Sequence, residues 1–133
     1  MKKTLQILLA LFSSSALGAA ERPNTVLIHP GETCYVRFAI NGAKLKLLGV
    51  SKEKDESAQV VLSVYPAPSN NGFTLKVENK FNLDLDYAGE LRSHLIDRRI
   101  KVSMAPVVAG KISLEWLPLK LDELAVFGFK LEK

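Results

Sequence analysis

Between Phe73 and Tyr87 the apolar side chains Phe73, Leu75, Val77, Phe81, Leu83, Leu85 and Tyr87 all occupy odd positions, and only Asn79 interrupts the row. A period of two belongs to a strand with one buried face; a helix buries residues three and four apart. Unbroken, these residues would extend about 50 Å, longer than a domain of this size accommodates. Glu78-Asn79-Lys80 is therefore expected to bend while preserving side-chain parity, as a strand does on passing from one sheet to another.

The same alternation recurs along the chain. Cys34, Val36, Phe38 and Ile40 share one face, with Tyr35 and Arg37 on the other. Asn41-Gly42 reads as the hairpin turn that follows, because both residues tolerate positive φ. Leu45 and Leu47 alternate with Lys44 and Lys46, and Lys52 to Ser57 form a charged turn. Val60, Leu62 and Val64 lead to Pro66 and Pro68, which end a strand. Ile100, Val102 and Met104 alternate, as do Ile112, Leu114 and Trp116, and finally Phe127, Phe129 and Leu131. On this pattern Trp116 belongs to the core. Leu91 to Asp97 is the one stretch with helical character.

Eight or nine short strands, spaced about ten residues apart with turn residues between them, predict an all-β fold. The expected form is a single antiparallel β-sandwich, immunoglobulin-like, with a small closed β-barrel as the alternative, because periodicity does not distinguish the two. A chain with one cysteine has no inter-sheet disulfide of the antibody type, so the likeness is one of architecture alone.

The N-terminus is of another kind. Met1-Lys2-Lys3 is cationic, Leu5 to Phe12 is apolar apart from Gln6, and Ser13 to Ala20 is small and weakly polar. This order matches a cleavable secretory signal peptide, with Gly18-Ala19-Ala20 supplying small residues for cleavage after Ala20. The expectation is a signal peptide over residues 1–20 and one β-domain over residues 21–133, periplasmic or secreted from a bacterium. Cys34 lies too far beyond Ala20 to carry a lipid anchor. Without Lys2 and Lys3, the 18 Lys and Arg of the chain become 16 against 14 Asp and Glu. So small a surplus does not point to nucleic acid, which is bound by a dense basic face.

Catalytic patterns are sparse. His29 and His94 have no His or Cys at metal-ligand spacing, and no Ser sits in a Gly-x-Ser-x-Gly elbow. Cys34 shares the face of Val36 and Phe38, the setting of a small core hydrophobe rather than an accessible thiolate. Asn82, Asp84 and Asp86 share a strand face, but same-face neighbours stand about 6.6 to 6.8 Å apart, too wide to enclose one cation without other loops. No catalytic, cofactor or metal site is expected. The candidate partner contacts are Tyr65, Pro66 and Pro68, an aromatic beside a rigid loop, and the basic pair Arg98 and Arg99, for which Asp86 or Glu90 are candidate intrachain partners. The expected function is non-enzymatic: a protein-binding module of the envelope, engaging another envelope or secreted protein through loops or a strand edge. A small hydrolase or carbohydrate-binding domain using Asp84 and Asp86 is the alternative.

Overall fold

Each alternating run forms a strand in the computed structural model, which describes residues 22–68, 71–93, 96–118 and 122–132. The strands are β1 (Val26–Ile28), β2 (Thr33–Asn41), β3 (Lys44–Ser51), β4 (Val60–Pro66), β5 (Phe73–Asn79), β6 (Asp84–Ser93), β7 (Ile96–Val102), β8 (Ile112–Leu117) and β9 (Glu123–Glu132). They pair in the order β7-β6-β9-β3-β2-β4-β5-β8, with β1 also on β9. The result is an antiparallel nine-stranded sheet curled into a half-barrel, with no helix among the described residues. The stretch with helical character forms the end of β6 and the start of β7; residues 94 and 95 lie outside the described residues.

The curl has a definite hinge. β3 and β9 share a single register pair, Lys44 with Lys130, so the sheet divides there into two wings. One contains β1, β9, β6 and β7, and the other β3, β2, β4, β5 and β8. Their concave faces meet in the core, where the Phe38 ring lies 4.9 Å from Phe129 and 6.3 Å from Phe81, centroid to centroid. Leu62 and Leu75 from one wing and Leu85 and Leu124 from the other are fully buried. Burial of each such side chain favours the folded state by about 1.5 to 3 kcal/mol.

Asn79 turns the break in the alternating row into a structural joint. It is 1% exposed, so its amide must find partners within the protein. Its Nδ2 donates to the carbonyls of Leu83 and Val107, each at 3.0 Å, and its Oδ1 accepts the Phe81 N–H at 2.9 Å. Its backbone N–H donates to the Lys111 carbonyl at 2.9 Å. One residue thereby fixes the crossing from β5 to β6 and also the crossing from β7 to β8. The bend lies over residues 80–83, just beyond the position expected, and parity is preserved across it: Leu75, Val77, Phe81, Leu85 and Tyr87 are buried.

Elsewhere the parity of the sequence is interrupted. Asn41 pairs with Lys44, so the two hairpin residues are Gly42 and Ala43, with the required positive φ at Gly42 (65°). In β9, Gly128 has φ of 68° and forms a bulge opposite the register slip between Asp86 and Ala88. Phe129 and Leu131 are buried as expected, but beyond the bulge Val126 and Leu124 take the inner positions and Phe127 turns outward. In β3, Leu48 is the extra residue between Gly49, which pairs with Arg37, and Leu47, which pairs with Phe38; Leu48 is left exposed. Ile40, expected inside, lies at the open hairpin end and is also exposed.

Replacing Asn79 with Ala should lower stability by about 2 to 4 kcal/mol, because it strands buried carbonyls and a buried N–H. Denaturant unfolding of the two proteins measures this, and a loss below about 0.5 kcal/mol, the range of ordinary surface changes, would show that the joint is dispensable.

Candidate protein-docking surface

β8 ends the sheet beyond β5, and its register decides what it shows to solvent. Ile112 pairs with Glu78, Leu114 with Lys76 and Trp116 with Thr74, all polar partners on the convex face. Ser113, Glu115 and Leu117 pair with the buried side of β5, namely Val77, Leu75 and Phe73. The row expected in the core therefore faces outward: Ile112, Leu114 and Trp116 are 54%, 62% and 58% exposed. Alternation puts these three on one face, but the neighbouring strand determines which face is buried.

The same register brings Trp116 to a residue singled out from the sequence. Tyr65 on β4 pairs with Thr74, which pairs with Trp116, so Tyr65, Thr74 and Trp116 form one row across three strands. Tyr65 is 38% exposed, and Pro66 and Pro68 beyond it are exposed as well. The Trp116 Nε1–H donates to the Asn71 carbonyl at 2.8 Å, which holds the indole over the β4–β5 connection with its ring in solvent. That connection sits tight on β8: a Cβ at Gly72 would collide with the Leu117 carbonyl oxygen, and Gly72 has φ of 91°. On the inner side, burial and then the charge of Glu115 push the Tyr87 phenol up, with neighbouring Ser113 opposing; among the described residues no well-formed hydrogen bond reaches its hydroxyl.

Arg98 and Arg99 lie on β7, at the other end of the sheet order, so the structure does not join them to Tyr65. The side chain of Arg98 is outside the described residues. Arg99 Nη1 lies 3.7 Å from Glu90 Oε1, one of the intrachain partners expected for this pair. Glu90 is 4% exposed and also faces Arg22 at 3.5 Å and Arg92 at 3.3 Å. A line of polar contacts continues from there: Arg92 to Glu123 at 3.0 Å, Glu123 to His29 Nε2 at 3.1 Å, His29 Nδ1 to Glu32 at 3.0 Å, and Glu32 to Lys52 at 2.7 Å. No sequence motif announces this network, since its members come from β6, β7, β9, the segment before β1, and the loops that follow β1 and β3. Lys52 Nζ also lies 3.4 Å from Cys34 Sγ. Cys34 is fully buried, burial pushes its thiol up, and Lys52 opposes that rise.

The acidic row is divided among intrachain partners. Asn82 belongs to the bend before β6, Asp84 Oδ1 accepts the Ala109 N–H at 2.9 Å, and Asp86 lies 3.8 Å from Lys130. Among the described residues no group of three His, Cys, Asp or Glu side chains is placed to hold a metal ion. An open groove of about 400 Å³ lies across β6, β7 and β9, lined by Ala88, Gly89, Lys101, Val102, Ser103 and Phe127. No family model matches the chain, and no curated protein or solved structure gives a match.

The Glu32 carboxyl is lowered to about 2, chiefly by its hydrogen bond from Lys52 and then by the His29 backbone N–H. A carboxylate held below its unfolded value stabilises the fold above that value, and the contribution disappears as pH falls through the folded one. Glu32→Gln should therefore be less stable than the parent at neutral pH, with the difference shrinking between the ordinary carboxylate range and about pH 2. Parallel stability curves down to that pH would contradict the assigned pairing.

Proposed function

We propose that the chain is an exported bacterial envelope protein, periplasmic or secreted, that works without catalysis as a protein-binding module. The observation that carries this reading is the apolar row Ile112, Leu114 and Trp116, standing in solvent on an edge strand. An edge strand presents unpaired backbone groups, and natural sheets usually guard it with charge, proline or a bulge. β7, at the other end of the path, carries exposed Arg99 and Lys101, whereas the convex face of β8 carries no charge. An extended segment of a partner added beside β8 would gain backbone hydrogen bonds and cover these side chains. Trp116 and Tyr65 supply the large amphipathic anchors that such contacts use.

Export rests on the order of residues 1–20, a charged start, an apolar run and a small-residue end. We read the finer architecture as an immunoglobulin-like sandwich: two wings joined by one register pair, with Phe38 packed on Phe129 between them. The hydrolase or carbohydrate alternative draws no support from Asp84 and Asp86, both engaged within the chain.

The test is affinity capture from envelope extracts, with the released protein expected to begin at Glu21. A partner held by the parent should be lost with Trp116→Ala, which should weaken binding by roughly 30-fold, the scale of a tryptophan hot spot. The thermal melt should be nearly unmoved, because the side chain is exposed. Undiminished capture by this variant would remove β8 from the reading.

A further inference from the structure

Seven residues around β8 read Lys111-Ile112-Ser113-Leu114-Glu115-Trp116-Leu117. Laid antiparallel against its own copy with Leu114 on the two-fold axis, the strand pairs Ile112 with the copy's Trp116, Leu114 with Leu114, and Trp116 with Ile112. The convex row is then apolar throughout. On the other face Ser113 meets the copy's Glu115 and Glu115 meets Ser113, so each hydroxyl faces a carboxylate and can donate to it. Directly opposed residues in an antiparallel pair share a face, which restricts a symmetric dimer to registers centred on a residue. Moving the centre to Glu115 would set two carboxylates against each other, a destabilising pair. Moving it to Ser113 would place Trp116 opposite Gly110 and lose an aromatic contact. Only the Leu114-centred register pairs all three apolar side chains and opposes no like charges.

We infer that, when no other partner occupies β8, a second copy of this chain does, pairing β8 with β8 in the Leu114-centred register and joining two half-barrels along one edge. The inference rests on the reading of β8 as the docking edge and names its occupant in the resting protein. The heterologous partner and the second copy compete for the same backbone groups. A contact made by one short strand from each copy is small, so the dimer is concentration-dependent, in the manner of transient interfaces.

Sedimentation equilibrium of the protein purified in its released form tests this, across about 1 to 200 µM, the range in which weak contacts of this kind associate. The expected result is a mass that rises toward twice that of one chain. Leu114→Lys and Leu114→Glu should each remain monomeric, because each places two like charges face to face on the axis. Their equimolar mixture should recover the dimer, because the opposed pair is then Lys against Glu. Both variants should keep the parent's far-ultraviolet dichroism and melting temperature, since Leu114 is exposed. A parent that is monomeric throughout overturns the inference; the docking reading then stands or falls on the Trp116→Ala capture. Dimers that persist in either single variant overturn it, as does a mixture that stays monomeric.

Discussion

One buried carboxamide holds the two wings of this protein in register. Asn79 donates to the carbonyls of Leu83 and Val107 and accepts the Phe81 N–H, so two separate crossings between wings meet on a single side chain. Such a group is useful because it is costly to leave unpaired: any arrangement that displaced either crossing would strand polar groups away from water. The apolar contacts, Phe38 on Phe129 and the leucines around them, supply most of the attraction between the wings. Apolar packing tolerates sliding, whereas hydrogen bonds to named carbonyls do not.

The position of β8 follows from this joint. The Lys111 carbonyl accepts the Asn79 backbone N–H one residue before β8 begins, so the strand enters beside β5 at a set height and in a set register. That register turns Ser113, Glu115 and Leu117 toward the inner face and leaves Ile112, Leu114 and Trp116 outside. The two ends of the sheet differ in consequence. At β7 exposed Arg99 and Lys101 carry charge, the arginine drawn toward the buried Glu90, while the convex face at β8 is apolar and meets Tyr65 across Thr74.

The strands themselves were legible because their period is simple, and the buried face of β2 through Phe38 and of the row from Leu75 to Tyr87 could be taken directly from it. Three devices obscured the rest. Gly128 and Leu48 are bulges, each inserting one residue and reversing the inward parity that a sequence count carries forward. β8 is an edge strand whose two faces are both plausible from sequence, since the choice belongs to its neighbour. The charge network through Glu90, Glu123 and Glu32 joins residues distant in sequence, and only the fold brings them together. Tyr65 is recognisable as an aromatic beside a proline loop; its row with Trp116 is not, because alternation with Ile112 and Leu114 alone puts Trp116 in the core.

The chain has one tryptophan, so its fluorescence reports on β8 alone. Quenching of Trp116 by iodide, compared between the native and denatured protein, tests most directly whether the apolar row stands outside the sheet. The structure predicts red-shifted native emission that iodide quenches with most of the efficiency it shows in denaturant. Blue-shifted native emission that resists iodide until the protein unfolds would place Trp116 in the core and contradict the register on which the docking surface depends.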